Sequence, residues 1–242
     1  MLRQKNSLRK SVLLYRRILR SKGYGVHSPF VYNLITKVIE ERRPYYCFSG
    51  IELLRKQLKD HPVAGVVASD AIRPKQGALL FRLANYFRSK HILQIGASTG
   101  LSTLYLTSYM PGIKCITLEN RPEYASIARW VYGKAARTPI DLRVGDYQTL
   151  LPGILEQMGT VDLVFFNTCR EPSNTGLFDT CMAYAQADTV FVFEGIKASR
   201  PMRECWKAVC AHPEVTVTLD LYSMGIVFFN KKLHKRDYTV YF

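Results

Sequence analysis

The sequence predicts an α/β fold: a seven-stranded, mostly parallel sheet with helices on both faces, an antiparallel hairpin at its C-terminal end and a helical cap at the N-terminus. Three observations carry this. From His91 onward, short runs rich in β-branched and aromatic residues alternate with longer amphipathic stretches, the pattern of a parallel sheet covered by helices. The last two runs are separated by only Ser223 to Gly225 or so, too little for a crossover helix, so they pair antiparallel, at the edge of the sheet. Before Lys90 the periodicity is helical and is punctuated by Pro29, Pro44, Pro62 and Pro74.

Taken in order, "VYNLITKVIEE", "IELLRKQLKD" and "KQGALLFRLANYFRSK" read as the helices of the cap. The strand runs are "HILQIG", "KCITLE", "DLRVG", "VDLVFFN", "TVFVFEGI", "EVTVTLDLY" and "MGIVFFN", with "PEYASIARWVYGKA" and "PMRECWKAVCAH" among the intervening helices. The chain thus divides into a basic helical arm and cap over residues 1–90 and a sheet domain over residues 91–242. A length of 242 residues with 48% hydrophobic content suffices to bury a sizeable core. The six cysteines form no C-x-x-C pair, and several sit in apolar segments as small hydrophobes, which fits a reducing cytoplasm. No secretory segment and no apolar run of about 18 residues is present, so the expectation is a soluble, cytoplasmic protein.

The formal charge of +15 is concentrated at the N-terminus, where nine basic residues precede Glu40, the first acidic one. Leu8, Val12, Leu13, Tyr15, Ile18 and Leu19 recur there at helical spacing, giving a basic amphipathic helix. Its charge either holds nucleic acid or an anionic membrane surface, or is simply a solvated helix face; no stacking platform or nucleic-acid motif accompanies it.

The most specific stretch is "HILQIGASTGLSTLYL", His91 to Leu106, which passes from a strand through a small-residue turn into a helix. Gly96 and Gly100 bracket Ala97, Ser98 and Thr99, so the backbone turns sharply and can approach an anionic or flat group. It is neither a P-loop nor a complete G-x-G-x-x-G. About 20 residues on, Glu119 ends the second strand, where a carboxylate can accept two ribose hydroxyls or can simply be a helix-entry residue before Pro122 and Glu123. Gly145, Asp146 and Tyr147 follow the third strand, with Asp146 also suited to cap the next helix.

From His91 to the C-terminus the chain resembles the class I S-adenosylmethionine-dependent methyltransferases, most closely the catechol-type O-methyltransferase branch and its bacterial relatives. The first motif of that Rossmann-like family reads here Gln94-Ile95-Gly96-Ala97-Ser98-Thr99-Gly100, followed by Leu101 and Ser102. The resemblance implies that this loop wraps the methionine part of S-adenosylmethionine and that Gln94, in place of an acidic residue, faces its amino end. It implies also that Glu119 and the adjoining Asn120 hold the ribose, and that Gly145, Asp146 and Tyr147 lie beside the adenine.

Catalytic positions depart from the family. In catechol-type enzymes the fourth strand ends in a metal-binding Asp followed three residues later by a Lys base, and a second acidic pair follows the fifth strand. Here Asn167 and Arg170 stand at the first place, and Glu194 and Gly195 at the second. Mg²⁺ wants an oxygen shell with carboxylate charge, so no metal is expected. Arg170 cannot act as a base but suits an acidic substrate. The resemblance implies that Asn167 stands beside both cofactor and acceptor. His27, in "GYGVHSPFVY", resembles a His-Ser-Pro-Phe element of bacterial relatives and is either a general base on a lid or part of a docking turn in which Phe30 packs. Trp206, Phe191 and Phe193 read as core. The expected function is metal-free methylation of an oxygen, or a nitrogen, of a small-molecule acceptor. The alternatives are a degenerate binding protein of the same fold and a nucleic-acid methyltransferase using the basic arm. The oligomeric state stays open, a homodimer included.

Overall fold

The computed structural model describes residues 25–60, 70–135, 140–168 and 174–242. The basic amphipathic segment around Leu8 to Leu19, and Arg170, lie outside the described residues.

The His-Ser-Pro-Phe element is a helix start. Ser28 accepts a hydrogen bond from the Val31 amide (3.4 Å) and Pro29 takes the first position of α1 (Pro29–Leu34). The helix widens into a π-helical stretch over Ile35–Ile39. At its end the buried Arg82 guanidinium donates to the carbonyls of Val38 (2.6 Å) and Ile39 (3.4 Å), placing a cation on the negative end of the helix. Burial draws the Arg82 pKa down, yet a guanidinium stays charged. Next come α2 (Tyr46–Lys59) and α3 (Pro74–Phe87).

The alternating half follows as β1 (His91–Ile95), α4 (Leu101–Thr107), β2 (Lys114–Glu119), α5 (Pro122–Ala135), β3 (Asp141–Val144) and α6 (Tyr147–Met158). It continues through β4 (Leu163–Phe166), α7 (Asn174–Met182), β5 (Val190–Glu194), α8 (Arg200–Ala211), β6 (Val217–Asp220), β7 (Met224–Phe228) and β8 (Arg236–Thr239). The strand order is β3-β2-β1-β4-β5-β7-β6-β8. Neighbours β1 to β5 pair in parallel, and β7 runs antiparallel to both β5 and β6.

The expected hairpin is present but is not at the edge. β7 is inserted between β5 and β6, and an eighth strand, β8, pairs in parallel with β6 and forms the border. The sequence reading stopped at seven strands because "RDYT" has two charged residues among four and no apolar alternation. Its exposure explains that composition, since an edge strand needs only one partner.

Side chains alternate strictly across the central strands. Ile92, Leu163, Phe165, Val190 and Val192 enter one core with α1 to α5, whereas Leu93, Ile95, Val164, Phe166, Phe191 and Phe193 enter a second with α6 to α8. Burial on both faces makes these strands nearly continuous apolar runs. Phe166 and Phe193 stack at 4.3 Å, with Trp206 edge-on to Phe193 at 5.9 Å, so these aromatics are core as expected. Phe30 meets Phe228 edge-on at 5.0 Å, which docks α1 on the first core.

Two glycines set close helix packing. A Cβ on Gly77 of α3 would collide with the Tyr105 ring of α4, whose hydroxyl donates to Glu52 of α2 (2.7 Å). A Cβ on Gly225 of β7 would collide with the Trp206 ring of α8.

Candidate active site

The turn after β1 is sewn to its neighbours by backbone bonds. Gly96 and Ala97 amides both donate to the Leu118 carbonyl (2.9 and 2.8 Å), and the Asn167 amide donates to the Ile95 carbonyl (2.8 Å). Gly96 (φ +90°) has no room for a side chain, since a Cβ would strike the Asn167 carbonyl oxygen. Gly100 (φ +80°) lies against Ala128 and Tyr132, so it also lets α4 approach α5. Between them Ser98 is left-handed (φ 49°), a strained conformation for a residue with a side chain. It is pinned by its amide on Glu119 Oε2 (2.8 Å) and its hydroxyl on the Asp70 carbonyl (3.1 Å).

Glu119 is fully buried at the end of β2. Its Oε1 accepts from Arg121 Nε (3.0 Å) and from the Tyr147 hydroxyl (3.4 Å). Arg121 lies over the Tyr124 ring at 3.6 Å, and Tyr124 donates to Asp70 Oδ2 (2.5 Å). Loop, strand end and the segment before α3 thereby form one charged network.

Around this network a cavity of about 410 Å³ opens beyond the carboxyl ends of the parallel strands. Ser98, Arg121, Tyr147, Asn167 and Glu194 reach it from the ends of β1 to β5. Asp70, Arg73 and Gln76 close it from the start of α3, and Lys197, Tyr222 and Ser223 from the C-terminal side. Lys197 Nζ pairs with Asp220 Oδ2 (2.7 Å) and sits 4.7 Å from the Tyr222 ring centroid.

Of the residues singled out in the sequence, Ser98, Tyr147 and Asn167 line this cavity. Asn167 donates its Nδ2 to the Gly96 carbonyl (3.2 Å), bracing the loop. Gln94 is placed otherwise than expected. Its amide is fully buried and spent inside the protein: Nε2 donates to the Gly96 carbonyl (2.8 Å) and Ser102 Oγ (2.9 Å), while Oε1 accepts from Thr103 (2.9 Å). The residue faces α4 and is a strut of the turn, as is Ser102. Ala97 and Thr99 are buried in the turn itself. Asp146 is exposed and caps α6 through Thr149 N (2.9 Å), which holds its carboxyl below the usual range; it is not among the cavity-lining residues, nor are Gly145 (φ +152°) and Asn120. His27 is exposed and likewise absent from the lining.

The sequence reading passed over Arg121, Asp70, Arg73 and Lys197, and treated Glu194 only as a vestige of a metal site. Glu194 is half-buried in the cavity, and among the described residues its carboxyl has no hydrogen-bond or ion-pair partner. Burial pushes its pKa up to about 7, with Asp70 adding to the rise and Arg73 opposing it. The signal was its position at a strand end, three residues before Lys197.

Among the described residues the ends of β4 and β5 offer Mg²⁺ a poor shell: Glu194 is the one carboxylate there, Asn167 has only a neutral amide oxygen, and Gly195 has no side chain.

The strand order with an inserted antiparallel β7, and a glycine turn after β1 facing a cavity at the strand ends, define the class I methyltransferase fold. Within that class the chain belongs to the O-methyltransferase family, whose model matches residues 49–195, more than half of the chain. It is 28% identical over 129 residues to a catechol O-methyltransferase of Niastella koreensis, covering 52% of this chain and 58% of that protein. With a catechol O-methyltransferase of Mycobacterium tuberculosis it shares 28% over 142 residues, covering 55% of this chain and 63% of the relative. The chain thus spans about three fifths of the length of these relatives. The solved O-methyltransferase from Bacillus cereus in complex with SAH superposes with a TM-score of 0.62 at 19% identity, over 82% of this chain and 97% of that one. TomG from Streptomyces achromogenes in complex with SAM gives 0.60 at 19%, over 82% and 94%. Among the described residues no helix is long and apolar enough to cross a membrane.

Proposed function

We propose that the chain is an S-adenosylmethionine-dependent O-methyltransferase of the cytoplasm that acts on a small-molecule acceptor without a metal ion. One observation carries this: a cavity at the carboxyl ends of the strands, floored by the glycine turn that Glu119 holds in place. The catechol O-methyltransferase relatives and the SAH- and SAM-bound neighbours support it.

S-adenosylmethionine, when bound, supplies a methyl group already activated on a sulfonium. In this reading the turn from Gly96 to Thr99 receives the methionine end, with the Ser98 hydroxyl and its neighbours as donors. Glu119 accepts the ribose hydroxyls, for which Arg121 yields one carboxylate oxygen. Tyr147 flanks the base, and Asn167 stands at the junction with the acceptor. Residues 91–242 supply the cofactor half, whereas Asp70, Arg73 and Gln76, from the cap within residues 1–90, close the acceptor half. Methyl transfer needs chiefly alignment of the nucleophile and exclusion of water.

Calorimetric titration with S-adenosylmethionine and S-adenosylhomocysteine tests the assignment. Stoichiometric binding is expected, and Glu119→Gln should weaken it by about 1.5–3 kcal/mol, the scale of a hydrogen bond to a charged group. Unchanged affinity in that folded variant removes Glu119 from the ribose site. EDTA should alter neither binding nor turnover; Mg²⁺-restored activity after chelation would overturn the metal-free reading.

A further inference from the structure

The carboxylates around the cavity are not equivalent. Glu119 accepts from Ser98 and Arg121, Asp70 receives the Tyr124 hydroxyl, and Asp220 holds Lys197. Glu194 alone among these has no hydrogen-bond or ion-pair partner among the described residues, although its backbone is rigidly set. It closes β5 opposite Met224 of β7, and the next residue, Gly195, is left-handed (φ +67°) and donates its amide to the Ser223 carbonyl (2.7 Å). The register Phe166↔Phe193 puts the strand ends of β4 and β5 side by side, so Glu194 and Asn167 lie on the same wall. A fixed, half-buried, unpartnered carboxyl in a reaction cavity is a group kept available for protons.

We propose that Glu194 is the general base of the methyl transfer, an oxygen of its carboxyl taking the proton of the acceptor hydroxyl. The inference rests on the methyltransferase reading above. In the step, the acceptor oxygen forms a bond to the methyl carbon as the carbon–sulfur bond breaks with its electron pair remaining on sulfur. The O–H pair stays on oxygen, the proton passes to Glu194, and water later removes it. The charges that face the carboxyl are Arg73 and Asp70 at the start of α3, and Lys197, already neutralised by Asp220, on the other side. Together with burial they leave the carboxyl with an affinity for protons near neutrality, at about 7. That value suits a base working at physiological pH. A phenol, with an ordinary pKa of about 10, lies within its range. The Tyr222 ring at the mouth offers such an acceptor a flat surface.

The full chain is assayed in EDTA with catechol and 4-nitrocatechol as probe acceptors, and Glu194→Gln is compared with the parent. On catechol, kcat should fall by about 100-fold or more, while the catechol KM and the calorimetric S-adenosylhomocysteine affinity stay within about twofold. On 4-nitrocatechol at roughly pH 8, where one hydroxyl is already ionised, the variant should retain the parent rate within about fivefold, because the ionised oxygen can attack without giving up a proton. In the ligand-free protein, ¹³C-carboxyl glutamate NMR should show one resonance titrating near 7 that is missing from the variant. The proposal falls if the parent binds S-adenosylhomocysteine but methylates neither probe, or if the variant keeps its kcat on catechol. It falls also if both probes are slowed equally, or if no glutamate titrates near neutrality. Absence of S-adenosylhomocysteine binding by the parent would instead overturn the methyltransferase reading itself.

Discussion

Glu119 and Glu194 end two parallel strands of one sheet, and their surroundings give them opposite chemistry. Glu119 accepts from an amide, a guanidinium and a phenol, so its charge is compensated. Glu194 has burial without compensation, so its charged form is disfavoured. Between the ordinary carboxyl value of 4.5 and about 7 the folded protein binds a proton that the unfolded chain has released, and stability falls as pH rises through that window. Glu194→Gln should therefore be more stable than the parent at pH 8 by about 2 kcal/mol, a figure reduced for the solvent reaching the cavity, and nearly equal to it at pH 4. Urea unfolding of both proteins at the two pH values checks this; an equal difference at both would mean that the carboxyl is not desolvated. Gln94 shows the converse limit of reading residues one by one. Its place in the motif was legible, but only the folded turn shows that its amide is already committed to Gly96, Ser102 and Thr103.

Helices and central strands were legible because burial on one or both faces leaves a period in the sequence, and β2 and α5 have the bounds their patterns suggest. β8 was not, since its four residues answer to a backbone edge rather than to a core. Neither was the inward position of β7, because a hairpin signal fixes antiparallel pairing without saying which strand takes the outer place. Glycines inside elements likewise carry meanings that sequence cannot separate. Gly50, in α2, would place an added methyl in open space, whereas Gly77, in α3, would drive it into the fully buried Tyr105 ring. Gly50→Ala should stabilise by about 0.5–1 kcal/mol through helix propensity and chain entropy. Gly77→Ala should destabilise by about 1–3 kcal/mol through overpacking despite the same propensity gain. Denaturant midpoints with unchanged slopes would confirm both; a stabilised Gly77→Ala would mean that α3 and α4 slide apart freely.

At the scale of the whole molecule, the cap helices and the sheet share one apolar core, so the walls of the cavity are drawn from both ends of the chain. The segment before α3 brings Asp70 and Arg73, and the β6–β7 hairpin brings Tyr222 and Ser223. Ligands for the cavity therefore span elements far apart in sequence. Saturating S-adenosylhomocysteine at about 100 times its Kd should raise the unfolding free energy by about 2.7 kcal/mol. Thermal melts with and without it measure the effect, and no shift at that saturation would mean that it does not favour the folded state.

The insertion of β7 between β5 and β6 has a consequence for biosynthesis. A nascent chain that has emerged only as far as β5 already carries the glycine turn, Glu119 and Glu194, but not β7, the antiparallel neighbour of β5, or the Ser223 carbonyl that receives the Gly195 amide. The proton-accepting carboxyl is thus held in place only after the hairpin has left the ribosome and docked. Until then a growing polypeptide has a half-built reaction chamber, and competence arrives together with completion of the fold.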